Sequence, residues 1–398
     1  MRVSIVTWEY HPIMVGGLAV HCKGLSEALV RAGNEVDVIT VGYDLPEYEE
    51  INGVNVYRVK PISHNNFLTW AMFMANSLEK KIGSLGVENY DVIHCHDWMT
   101  SFVGSNLKHT AKKPYVQSVH STERGRCGGI NSEDSRAIND AEWWGSYESN
   151  QLIAVSHSTK DEMCYGFNTP WEKVNVIYNG VNPWEFDIDG NDDEKYNFRR
   201  SFGVADHENM ILFVGRLAYQ KGVEHLIRGF QKFLIGHPNS KLVVAGEGHM
   251  QGHLEHVAWT LGCRDRVIFL GFKNGNFLKK LYKYADACVI PSVYEPFGIV
   301  ALEAMAAGTP VVASDVGGLS EIINHEYNGV KVYPRDADSI AWGLDRVISD
   351  WGFREWITKN AKHDAYTKYS WDAIANQTVQ VYKRAIEMMK QYIIIKLD

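Results

Sequence analysis

Two glutamates stand eight residues apart in Glu295-Pro296-Phe297-Gly298-Ile299-Val300-Ala301-Leu302-Glu303, a run that leaves the strand-like Ala287 to Ile290 and enters a helical stretch through Ala304 to Ala307. In an open α/β sheet, ligands sit outside the C-terminal ends of strands, and the unpaired N–H groups of a helix's first turn suit a diphosphate. Gly298 lets the backbone approach such a group. On this reading Glu295 precedes the helix and Glu303 lies about two turns into it, roughly 11 Å further along, so the carboxylates reach opposite ends of one ligand. A second constellation, Gly215-Arg216-Leu217-Ala218-Tyr219-Gln220-Lys221-Gly222, follows another strand and sets two cations five residues apart between glycines. Cations placed so can neutralise a departing diphosphate. Taken singly, a glutamate beside a helix start reads as a dipole or surface charge, and a lone Lys or Arg as solvated. Their conjunction is what specifies a phosphorylated ligand.

The elements that must position these residues are legible as alternation. Val3 to Thr7, Val36 to Val41, Val54 to Val59, Val92 to His96, Tyr115 to Val119, Leu152 to Val155 and Val174 to Tyr178 are short β-branched runs separated by helical periodicity, the pattern of βα units and a parallel sheet. Between the first two, Leu18, Leu25, Ala28 and Leu29 share a helical face, and Gly33-Asn34 is a stop signal. The acidic, polar run 187–194 breaks the pattern, and a second set of strands follows: Ile211 to Val214, Leu242 to Ala245, Val267 to Leu270, Ala287 to Ile290, Pro310 to Ala313 and Val330 to Val332. The expected fold class is α/β, with two Rossmann-like doubly wound domains facing a central cleft, residues 1–186 and 187–370. The tail 371–398, with Ala375, Val379, Tyr382 and Ile386 at helical spacing, is expected to pack back on the first domain.

With these residues in this order, the chain resembles the retaining glycosyltransferases of the GT-B fold, family 4 (group 1), with similarity to glycogen synthases, over nearly its whole length. The carriers are Gly16-Gly17 after the first strand, Arg216 with Lys221, Glu295 with Glu303, and Asn179-Gly180-Val181-Asn182 with Phe186, where Asn182 replaces the usual Asp. The resemblance implies that Arg216 and Lys221 hold the donor diphosphate, that Glu295 binds donor-sugar hydroxyls and Glu303 the ribose, and that Gly16, Gly17 and the backbone at Phe297, Gly298 and Ile299 approach the phosphates. It aligns His120 with a histidine facing the donor sugar and places Asp97 and Trp98 on the acceptor side. Glu123 and Arg124, in the polar loop after His120, are acceptor-side candidates that can equally pair with each other. The implied catalytic set is His120, Arg216, Lys221 and Glu295, and the implied chemistry is sugar transfer with retention by front-face attack. The expected donor is a nucleoside diphosphate sugar, UDP-glucose or ADP-glucose, and the expected acceptor an α-glucan. A lysine two residues before the paired glycines marks the glycogen synthases of family 5; Met14 stands there instead, which favours family 4 and leaves a lipid or small-molecule acceptor open.

Rival classes are distinguishable. A GT-B epimerase shares the nucleotide site but consumes donor without acceptor. A nicotinamide oxidoreductase needs a glycine fingerprint directly after its first strand, and Tyr10 to Gly17 does not supply it; Gly246, Gly248 and Gly252 have the spacing GxGxxxG after a later strand. Asp187-Ile188-Asp189 copies the metal-holding DxD of another glycosyltransferase class but lies in the polar link. His94 and His96 share a strand face, yet no third ligand is apparent in the sequence. No metal and no cofactor are therefore expected, the nucleotide-sugar being a co-substrate. A net charge of −8 argues against nucleic acid. Six scattered cysteines without a CxxC pair, the lack of a signal-like leader and of a long apolar run give a cytoplasmic expectation without a transmembrane segment.

Overall fold

The computed structural model describes residues 1–13, 16–188 and 190–395. Met14 and Asp189 lie outside the described residues. The chain divides into two units, Met1–Gly180 with Trp371–Asp398, and Val181–Ser370.

The first unit runs β1 (Arg2–Val6), α1 (Gly17–Arg31), β2 (Glu35–Val41), β3 (Tyr48–Ile51), β4 (Val54–Val59), α2 (Phe67–Ser84), β5 (Val92–His96), α3 (Trp98–Thr110), β6 (Tyr115–Val119), α4 (Glu123–Arg126), α5 (Glu133–Glu148), β7 (Gln151–Ala154), α6 (His157–Gly166) and β8 (Val174–Val176). The sheet order is β3-β4-β2-β1-β5-β6-β7-β8, parallel except for β3 against β4. β3 is absent from the sequence reading because Tyr-Glu-Glu-Ile at a sheet edge needs no apolar alternation. Side chains alternate across the sheet: Val3, Ile5, Val36 and Val38 pack in one core with Leu25 and Leu29 of α1, whereas Val6, Ile39, Ile93 and Cys95 pack in another with residues of α2 and α3.

The second unit contains α7 (Asp192–Arg200), β9 (Asn209–Val214), α8 (Val223–Phe233), β10 (Ser240–Ala245), α9 (Gln251–Thr260), β11 (Val267–Gly271), α10 (Gly275–Tyr284), β12 (Ala287–Ile290), α11 (Ile299–Ala307), β13 (Val311–Ser314), α12 (Leu319–Ile322), β14 (Val330–Val332), α13 (Ala337–Ser349) and α14 (Trp351–Thr367). Its sheet is parallel throughout, in the order β11-β10-β9-β12-β13-β14. The chain builds outward from β9 and then crosses to β12, so the loops after β9 and β12 leave the sheet at its topological switch point.

The division falls six residues before the expected boundary. Val181 N–H donates to Tyr369 O at 2.8 Å and the Phe186 ring meets Tyr282, 6.0 Å between centroids, tying 181–186 to the second unit. The acidic run is a helix start rather than a linker: Asn191 accepts from Glu194 N–H at 2.8 Å, and Asp192, Asp193 and Glu194 fill the first turn of α7, where the helix dipole favours negative charge. Asp187 pairs with Lys362 of α14 at 2.8 Å.

The last helix, α15 (Trp371–Ile395), clusters with the first unit. Its buried face is Trp371, Ile374, Ala375, Thr378, Val381, Tyr382, Ala385 and Met389, with Val379 and Ile386 only half-buried at its edge. Gly24 of α1 lies so close that a Cβ there would come within 2.2 Å of the Trp371 ring.

Candidate active site

The two cation-and-carboxylate loops of the second unit meet. Gln220 O accepts from Val293 N–H at 2.8 Å, and Gly222, with φ 66°, sits where a Cβ would lie 1.9 Å from Pro291 O. This contact brings Lys221 Nζ to 2.7 Å from Glu295 Oε2, which also accepts from Ser292 Oγ at 2.9 Å. Glu295 is buried; Arg216 is exposed and pairs with no carboxylate among the described residues. Gly298 has φ 110° and caps α11, whose first turn contains no acidic residue and receives no side-chain cap. No side chain therefore caps the first N–H groups of this helix.

The helix starts only at Ile299, so Glu303 is one turn in, about 6 Å along the axis, not two turns as the sequence suggests. Glu303 is half-buried and accepts from Tyr282 Oη of α10 at 2.7 Å. Burial pushes its carboxyl up to about 7, against the Tyr282 hydrogen bond, and the Glu185 charge adds to the rise. Gly246 and Gly248 are explained by packing: Cβ atoms there would come within 1.9 Å of Gly215 O and 2.3 Å of Leu217 O.

In the first unit, Gly16 N–H donates to the buried Glu9 carboxylate at 3.2 Å ahead of α1, which Gly17 begins. His120 follows β6, and Asp97, at φ 56° after β5, accepts from the His120 N–H at 2.8 Å. Burial raises the Asp97 carboxyl to about 6, while the Arg126 charge and the His120 N–H oppose the rise. The His120 Nε2 meets His96 Nδ1 at 3.1 Å, and the His21 ring lies 4.5 Å from His120. Two rings that the His94/His96 spacing did not announce, His21 of α1 and His120, thus join His96. Burial lowers His120 to about 3 and holds His21, His94 and His96 well below the ordinary imidazole range, so the cluster is neutral. His94 is a spacer, satisfied by Tyr382 Oη at 2.7 Å and Ser118 Oγ at 2.8 Å.

Trp98 begins α3 and packs edge-on against Phe67, 5.9 Å between centroids. Glu123 turns inward: Arg126, not Arg124, is its partner at 2.9 Å, and Arg126 binds Glu142 at the same distance. Arg124 is exposed. His21, Glu9, Ser292, Tyr282, Arg126 and Glu142 are the residues that the sequence reading missed, and Asn179, quoted there with the motif Asn179-Gly180-Val181-Asn182, was read without its His21 partner. Within its own unit each of the missed residues comes from a separate strand, helix or loop, with no motif spacing to mark it.

Comparison with known proteins fixes the family. Residues 15–185 match the model of glycosyltransferase family 4, and residues 194–364 that of the group 1 glycosyl transferases. The chain is 69% identical, over 98% of its length, to an uncharacterized glycosyltransferase of Methanocaldococcus jannaschii, all of which is covered. It is 34% identical over 97% of its length to the glycogen synthase of Mycobacterium tuberculosis, of which 95% is covered. The chain belongs to the family 4, group 1 glycosyltransferases. It is a sugar-transferring enzyme of the GT-B fold. A sucrose-phosphate synthase from Thermosynechococcus elongatus shares that fold, with a TM-score of 0.83 and 24% identity over 96% of this chain and 98% of that one. No helix among the described residues is long and apolar enough to cross a membrane.

Proposed function

We propose that this glycosyltransferase moves glucose from a nucleoside diphosphate glucose to the non-reducing end of an α-glucan, with retention of the anomeric configuration. The observation that carries the donor half is the Lys221–Glu295 pair at 2.7 Å, formed where the loops after β9 and β12 meet at the switch point. Arg216 and Lys221 take the diphosphate, the α11 N-terminus adds backbone N–H groups, Glu295 accepts from donor-sugar hydroxyls and Glu303 from the ribose. Charge neutralisation by these groups makes a metal at the diphosphate unnecessary. The glucose identity and the glucan acceptor draw on the similarity to the glycogen synthase.

In the reaction the bond between C1 of the sugar and the β-phosphate oxygen breaks, with the electron pair leaving on the phosphate. An acceptor hydroxyl oxygen bonds to C1 on the same face and gives its proton to that phosphate. The growing charge on phosphate is the quantity that Arg216 and Lys221 stabilise preferentially, so they act on turnover more than on donor affinity. Neutral His120, with Nε2 turned to His96, keeps Nδ1 for a hydroxyl of the donor sugar. On the first domain, Gly16 and Gly17 approach the phosphates, and Asp97, Trp98 and Arg124 serve the acceptor. Glu123 contributes by anchoring its loop through Arg126.

The test is Lys221→Ala assayed for release of nucleoside diphosphate from UDP-glucose and ADP-glucose with a malto-oligosaccharide present. Turnover is expected to fall by about 100- to 1,000-fold in a variant with an unchanged circular dichroism spectrum. A folded variant with wild-type turnover would overturn the role of the pair.

A further inference from the structure

The histidine cluster of the first unit is built more fully than a sugar contact needs. The ligand-capable nitrogens of His21, His96 and His120 all lie within 4.8 Å of one another. His21 Nδ1 is fixed by Asn179 Oδ1 at 2.6 Å, which places the proton on Nδ1 and leaves a lone pair on Nε2. That Nε2 is buried and has no hydrogen-bond partner among the described residues. A buried lone pair without a donor is costly in a native fold and calls for a ligand.

We propose that His21, His96 and His120 form a binding site for a first-row transition metal ion, zinc above all, whose occupancy blocks sugar transfer. Three imidazoles without a carboxylate select zinc, copper, nickel or cobalt over magnesium, calcium or manganese. Nitrogens on one tetrahedral zinc lie about 3.3 Å apart, given zinc–nitrogen bonds of about 2.0–2.1 Å. His96 Nδ1 and His120 Nε2 already meet at 3.1 Å, so His21 is the ring that must draw in. Asn179 is the partner that metal-bound histidines require on their other nitrogen. His94, packed at a tilt with its centroid 4.2 Å from that of His96 and saturated by Tyr382 and Ser118, holds the His96 ring in place. His120 is only partly buried, whereas His21 and His96 are fully buried, so an ion would enter from the His120 side. The blocking consequence rests on the place proposed above for His120 beside the donor sugar; the site itself does not.

The full chain, stripped with a chelator, is titrated with Co²⁺ by visible absorption and with Zn²⁺ by calorimetry. One ion per chain, with a tetrahedral Co²⁺ spectrum displaced by Zn²⁺, is expected. Asn179→Ala should weaken binding by about 10- to 100-fold, and His21→Gln by more, with circular dichroism reporting the fold of each. Should His21→Gln unfold, Asn179→Ala carries the test. Absence of stoichiometric binding, or binding equally tight in the variants because the ion sits on Cys127 or surface histidines, overturns the site. In the transfer assay Zn²⁺ should inhibit the wild type, reversibly by chelator, and should not inhibit His21→Gln at the same concentration. Stoichiometric binding with undiminished transfer would leave the site standing and overturn the block, together with the assigned position of His120.

Discussion

Glu303 enters the fold at an electrostatic cost, since burial moves its carboxyl from 4.5 to about 7 while Tyr282 Oη only partly compensates. Between those values the folded chain keeps a proton that the unfolded chain has lost. Stability from this group is therefore full below about pH 4.5 and is lost as the pH rises through about 7. Glu303→Gln is expected to melt above the wild type near pH 8 and to show no such gain near pH 4.5, checked by thermal scans at both. In the ribose-binding role proposed for Glu303, the same ionisation strengthens acceptance from the hydroxyls. UDP or ADP affinity should thus rise through about pH 7 in the wild type, and that step should vanish in Glu303→Gln when the two are compared by calorimetry. At this scale the sequence disclosed the charged residues and hid their partners. Arg216, Lys221, Glu295 and Glu303 are legible because charge at strand ends is conspicuous. Ser292, Tyr282 and His21 are not, because they matter only through contacts that the fold creates. The Glu123–Arg124 pairing illustrates the same gap: Arg126, one helical turn beyond Glu123, took the carboxylate instead.

α15 shows how an element far along the chain reaches the site. Its Tyr382 hydrogen-bonds His94, which packs at a tilt against His96, which meets His120. The helix docks through Trp371 against Gly24, so Gly24→Ala would drive a methyl group into the indole ring at 2.2 Å. Overpacking of this kind costs about 1–3 kcal/mol, and the expected result is a lower denaturation midpoint with reduced transfer. An unchanged midpoint would mean that α15 is free to shift. The apolar period of the tail announced a helix, yet the buried face turned out to centre one residue away from part of the expected set. A spacing of 3.6 residues defines a stripe but not which side of it meets a neighbour. β3 escaped notice for the opposite reason, having one exposed polar face and four residues. The α11 start was misplaced because Gly298 adopts a left-handed conformation, which shortens the helix ahead of Glu303.

At the scale of the chain, alternating β-branched runs were enough to read two Rossmann-like domains, and the strand order that puts the β9 and β12 loops side by side follows from doubly wound topology. The six residues that moved across the expected division did so through Val181 and Phe186, contacts that composition does not encode. The residues proposed to hold the donor belong to the second domain and the histidine cluster to the first, and the proposed chemistry engages both in one turnover. The most direct test supplies UDP-glucose or ADP-glucose with a malto-oligosaccharide and reads the new linkage by proton NMR. The account predicts a lengthened glucan whose new glucosyl residue is α-linked, as in the donor. A β-linked product, or donor consumption that releases free sugar regardless of acceptor, would contradict it.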